Sequence, residues 1–167
     1  KKKKNKIGGG GEQLGGPVLR VDLHHDRRRD REHGGRASGD AVVVEFFDYQ
    51  CGYCKRVFPN LMQVVQADEK LRVIWKELPI LGPVSQFAAK AAMASTAQGK
   101  YFDYHIALMS LPGRLTKKSV MDTAKKVGLD INRLIKDMGS PKIKLYLDET
   151  LELAQSLGIN GTPAFLI

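Results

Sequence analysis

An α/β fold organised around one βαβ unit is what this sequence predicts, and three observations predict it. "AVVVEFFDY" (residues 41–49) is a nearly unbroken β-branched and aromatic run, the composition of a strand buried on both faces of a parallel sheet. A helical pattern follows from Cys51 to about Gln66, with Val57, Leu61, Val64 and Val65 as its apolar stripe. "LRVIWKELP" (residues 71–79) then reads as a second strand closed by proline. Two strands joined by a helix over so short a span should make a right-handed crossover.

The rest of the chain is mostly helical in pattern. "SQFAAKAAMASTAQGK" opens at a candidate cap, Ser85, and is rich in alanine, the best helix former. Tyr101 to Met109 reads as a short amphipathic helix. Thr116 caps a helix from Lys117 to Val127 that Gly128 ends, and Asp130 caps a short one stopped by Gly139. The last helix has Ser140 as cap, Pro141 in its first turn and Gly158 past its end, with Ile143, Leu147, Leu151, Ala154 and Leu157 roughly on one face. "TPAFLI" is a third strand, starting at a proline whose missing N–H does little harm there.

Charge divides the chain unevenly. The formal net charge is +9, and residues 1–40 carry 11 Lys/Arg against 6 Asp/Glu. That front end is a lysine run, then glycines, then a charged stretch almost without apolar residues, so it is expected to be a disordered arm ahead of a domain at residues 41–167. A basic arm can contact nucleic acid or anionic lipid. No aromatic residue interleaves its charges as single-strand binders require, so no specific nucleic acid is expected. The lysines are followed by neither an apolar stretch nor a small-residue cleavage site, so this stretch itself is not expected to be a signal peptide, whether one was removed or never existed. No apolar run approaches the ~18 residues of a membrane span.

The chemistry-bearing feature is the cysteine pair. The chain has two cysteines, Cys51 and Cys54, inside "FFDYQCGYCKRVF". A structural zinc site needs four ligands, and one CxxC supplies two. His24, His25 and His33 lie in the arm without suitable spacing, and His105 is alone, expected on a helix at the surface or half-buried. A stapling disulfide across so short a loop would remove little entropy from the unfolded chain. A redox role fits better. A sulfur at a helix N-terminus meets unpaired N–H groups and the positive end of the helix dipole, which favour the thiolate. Cys54 follows one turn on, within reach of a disulfide, and can attack a mixed disulfide at Cys51 to release a substrate. The residues between, Gly52 and Tyr53, tune the thiolate without adding charge.

With these residues in view, positions 41–167 resemble the DsbA-like family of thioredoxin-fold disulfide oxidoreductases. "VVEFFDYQCGYCK" is similar to the family's active-site strand and helix, and "GINGTPAFLI" to its cis-proline loop and following strand. The resemblance implies a thioredoxin-like α/β fold with a helical subdomain inserted at about residues 84–157. It also implies truncation at the C-terminus, since the family continues with another strand and a helix, and the strand at Ala164 to Ile167 would be left as a bare apolar edge.

Roles follow by matching position. Cys51 resembles the exposed nucleophile and Cys54 the resolving cysteine. Glu45 matches the buried acid that exchanges protons with the second sulfur, against the alternative of an edge charge facing water. Pro163 matches the cis-proline, and Thr162 would offer backbone groups to a bound peptide. Gly-Tyr between the cysteines with Thr before the proline is similar to the isomerase and reductase branch, so direction stays open. No cofactor beyond the Cys51–Cys54 disulfide is implied. The implied partners are cysteine-containing clients and a redox protein that resets the site, in a periplasm or another exported location. Two other readings stand beside this enzyme: a thioredoxin-fold protein holding Cu(I) through the two thiolates or unfolded clients, and an arm that contacts nucleic acid or anionic membrane.

Overall fold

The structure, a computed structural model, describes residues 41–68 and 70–167. The basic arm with His24, His25 and His33 lies outside the described residues. Three strands, β1 (Ala41–Phe47), β2 (Leu71–Glu77) and β3 (Ala164–Leu166), form one sheet in the order β2-β1-β3. β1 pairs in parallel with β2, Glu45 opposite Trp75, and antiparallel with β3, Glu45 opposite Phe165. The sheet is therefore mixed rather than purely parallel. β1 is central, yet its first residues are open to solvent and burial is complete only from Glu45 onward.

Alternation along β1 sorts its side chains between two layers. Val43 and Phe47 join the larger core with Val73 and Trp75 of β2, while Val44 and Phe46 join a smaller one with Leu78, Ala154, Ile159 and Ala164. Glu45 shares parity with Val43 and Phe47, so it faces the larger core, where α1 (Gly52–Ala67) and both cysteines lie.

Five α-helices and one short 3-10 turn (Thr96–Gln98) separate β2 from β3: α2 (Pro83–Ser95), α3 (Tyr101–Met109), α4 (Lys117–Lys126), α5 (Ile131–Met138) and α6 (Pro141–Ser156). Together with the three strands and α1 they make a thioredoxin-like α/β fold with a helical insertion. α2 is the hub, packing on α3, α4, α5 and α6. Its alanines 88, 89, 91, 92 and 94 are buried, and such small side chains let neighbouring helices approach closely.

Local signals held at some boundaries and moved at others. The Thr116 side chain accepts from Ser119 N and Asp130 Oδ1 from Arg133 N, as capping predicts. α2 starts at Pro83 rather than at Ser85, because Gly82, at φ +109°, makes the entry that a proline at the first helical position can follow. Ser85 is buried inside the helix instead. In α1 the buried stripe is Cys54, Phe58 and Val65, with Leu61 packed against it, and Val64 is 53% exposed. The i, i+4, i+7, i+11 series starting at Cys54 sets the buried face, and Phe58 belongs to it. On α6 the buried residues are Tyr146, Leu147, Thr150 and Ala154, while Leu151 and Leu157 are exposed.

Candidate active site

Cys51 sits at the N-cap of α1, and the helix proper begins at Gly52. Its Sγ accepts from Cys54 N at 3.3 Å, the place an Asp or Ser oxygen takes in an ordinary cap. The turn ahead of it is built by Asp48. The Asp48 carbonyl accepts from Cys51 N at 2.9 Å, and its carboxylate takes Gln50 N at 2.7 Å and Leu81 N at 2.9 Å. One buried side chain thus ties the turn before Cys51 to the loop after β2.

The far end of the chain closes the site. The Thr162–Pro163 peptide is cis, and the Cys51 thiol donates to the Thr162 carbonyl at 3.1 Å. Both sulfurs are free. Cys51 is 5% exposed and Cys54 fully buried, so the expected exposed nucleophile is nearly covered by the loops around it. Burial pushes the Cys51 thiol up. Hydrogen bonding with the Thr162 side chain and with the amides of Cys54 and Tyr53 outweighs it, leaving the thiol below its ordinary value. Cys54 goes the other way: burial pushes it up to about 12. Tyr53 is 67% exposed, and Gly52 is also at the surface.

Glu45 is fully buried, which overturns the alternative of a charge facing water. Burial raises its pKa to about 7 against one opposing hydrogen bond, from Trp75 Nε1 to Oε2 at 3.1 Å. Its Oε1 has no partner among the described residues.

A second buried polar group stands close by. Glu77 Oε1 accepts from the hydroxyls of Tyr49 and Tyr101, each at 3.0 Å. Burial holds Glu77 well above the usual carboxylate range. Tyr49 also lies 2.9 Å from His105 Nδ1. Since the Tyr49 proton goes to Glu77, the imidazole carries its proton on Nδ1. His105 is not at the surface: it is fully buried, edge-on to Phe47, Tyr49 and Phe58 and stacked on Tyr101. Apolar burial depresses its pKa to about 3, so the ring is neutral. Its centroid is 5.1 Å from that of Trp75, which links the Glu77 cluster to the donor of Glu45.

Two further contacts fasten the helical insertion across the motif. Gln50 Oε1 accepts from Leu115 N at 2.9 Å, and Lys55 Nζ donates to the carbonyls of Leu111 at 2.8 Å and Gly113 at 3.0 Å. Among the described residues no group of three or more His, Cys, Asp or Glu is placed to hold a metal ion, and no helix is long and apolar enough to cross a membrane.

A family model, the DSBA-like thioredoxin domain, matches residues 42–167. The chain belongs to that family. A thioredoxin-like oxidoreductase from Silicibacter pomeroyi DSS-3 is 45% identical with a TM-score of 0.76, over 77% of this chain and 75% of that one. The thiol-disulfide exchange protein α-DsbA2 from Wolbachia pipientis is 32% identical with a TM-score of 0.74, over 80% and 74%. Among curated proteins, Na(+)/H(+) antiporter NhaA 1 from Salinispora arenicola is 28% identical over 88% of this chain. The chain spans 23% of the length of that relative. This DSBA-like domain therefore has the fold of a thiol–disulfide oxidoreductase, with its cysteine pair brought together at the head of α1.

Proposed function

We propose that the domain exchanges disulfides with cysteines of client proteins through a redox couple of Cys51 and Cys54. The supporting observation is the asymmetry of the two sulfurs at one helix N-terminus: Cys51 is held below the ordinary thiol value, and Cys54 at about 12. The group favoured as an anion is the better leaving group in a mixed disulfide.

In the oxidising direction a client thiolate attacks Cys51 Sγ, the Cys51–Cys54 bond breaks, and Cys54 leaves with the electron pair. A sulfur that binds its proton so tightly must be protonated as it leaves, and Glu45 supplies that proton. A second client thiolate attacks the client sulfur of the mixed disulfide, and Cys51 departs as a thiolate. The client dithiol has lost two electrons and the domain has gained them. Reversal gives a reductase: the Cys51 thiolate attacks a client disulfide, and Cys54 then attacks Cys51 Sγ and expels the reduced client. If a second thiolate of the client displaces Cys51 first, the client leaves with a rearranged disulfide, no electrons are transferred, and the domain acts as an isomerase. The Thr162 backbone, beside Cys51, is the docking strand for the client peptide. A redox partner resets the couple, in an exported, disulfide-permissive compartment such as the bacterial periplasm.

The test is the reduction potential of the couple at pH 7 in glutathione buffers, read by mass after alkylation. A reversible two-electron couple is expected between about −270 and −120 mV, absent from Cys51→Ser, while Cys54→Ser accumulates a mixed disulfide at Cys51. A folded protein with no reversible couple rejects the reading.

A further inference from the structure

Four segments border the redox motif, and three of them are tied to it by the hydrogen bonds above: the loop 78–82 through Asp48, the loop 111–116 through Gln50 and Lys55, and the loop 158–163 through Thr162. The fourth is the start of α1 itself. Their ionisable side chains are Lys55, Arg56 and Arg114, all cationic, and none of these segments carries an acid. The turn's own carboxylate, Asp48, is buried and committed to two N–H groups. Glu77, next to the loop 78–82, is buried, and Asp122, the next acid in the chain after the loop 111–116, is paired with Lys118.

Arg56 and Arg114 are exposed, and Lys55 is half-buried. The Arg56 guanidinium lies 4.8 Å over the ring of exposed Tyr53, one turn from Cys51. The Lys55 ammonium rests on two carbonyls of the loop whose apex carries exposed Arg114. Among the described residues none of the three is in an ion pair with a carboxylate.

We propose that this cationic rim selects clients whose reacting cysteine is flanked by Asp or Glu. The inference rests on the disulfide-exchange reading and adds its substrate class. An acidic segment approaching Cys51 is steered by the like charges on the segments that border it, and a basic one is repelled. The preference is electrostatic, so salt erodes it.

The experiment measures oxidation of three single-cysteine peptides, flanked by Glu, Ser or Lys, by the disulfide form of the protein. Wild type is compared with Arg56→Glu/Arg114→Glu and with Lys136→Glu/Lys142→Glu, an equal charge change on exposed residues of α5 and α6 outside the rim. The readout is the Glu-peptide to Lys-peptide rate ratio of each variant relative to wild type. That comparison cancels intrinsic thiol reactivity of the peptides and any general change at Cys51. The rim variant should lower the ratio by about tenfold at low salt, with the effect shrinking severalfold by about 0.5 M salt. The control should stay within about twofold, as screening over distance requires. If wild type fails to oxidise the Ser peptide, the disulfide-exchange reading itself is wrong. If it oxidises that peptide and the rim variant keeps the wild-type ratio, or the control lowers it equally, the rim does not select.

Discussion

Glu45 and Glu77 lie on neighbouring strands, both fully or almost fully buried and both with a raised proton affinity. They differ in how many donors reach them. Glu77 holds two tyrosine hydroxyls on one oxygen and joins β2, the redox turn and α3. Glu45 receives one indole N–H on Oε2 and nothing on Oε1. The same residue type on the same sheet thus becomes a fastener where it is well supplied with donors. Where it is half-supplied, it keeps one oxygen free for a proton. Donor count, more than burial, distinguishes the two glutamates.

Substitutions can break that contrast, and the largest effect falls on the fastener. Glu77→Ala leaves the Tyr49 and Tyr101 hydroxyls buried without an acceptor, and roughly 2–6 kcal/mol of stability should be lost, read from urea unfolding. Glu45→Gln should act with the opposite sign. Folded Glu45 titrates at about 7 against an ordinary 4.5, so the native state binds its proton more tightly, and stability falls as pH rises from 4.5 through 7. The glutamine variant escapes that loss and should be more stable by on the order of 3 kcal/mol at pH 8, with no such gain at pH 4. The same variant should slow protonation of Cys54 during exchange. A variant with the wild-type pH profile would mean that Glu45 is not the titrating group. Trp75→Phe gives the smallest effect. It removes the one contact that favours ionised Glu45, worth about 1 kcal/mol, and should raise its titration midpoint by less than about one pH unit, followed by carboxyl NMR.

The placement of the cysteine pair was legible in the sequence because its geometry is local. Cap, first turn and cysteine spacing all sit within a few residues, and Cys51 and Cys54 fall where that spacing puts them. Glu77 and His105 were harder to see, though their signals are present. β2 alternates strictly, with Leu71, Val73, Trp75 and Glu77 inward, and that parity alone places the glutamate among apolar neighbours. In α3, His105 shares the face of Tyr101, Tyr104, Leu108 and Met109, so the helical period sends it inside. For His105 the polar residue type argued for the surface or a half-buried site, and Tyr49, 56 residues away in the chain, is among the partners that hold it inside. Glu77 likewise meets partners 24 and 28 residues away. The rotated face of α6 and the antiparallel third strand depend on packing across the whole domain, which no local window contains.

The hydrogen bond between Cys51 and Thr162 spans 111 residues of chain. A polypeptide is made from its N-terminus, so Cys51 exists throughout the synthesis of the entire helical insertion before Thr162 joins it. A half-made chain lacks both the Thr162 carbonyl and the Thr162 side chain, the latter being what helps lower the thiol. Its sulfur is closer to an ordinary cysteine and correspondingly less prone to stray exchange while the rest is still emerging. The surroundings of Cys51 are thus assembled late, by the loop 158–163.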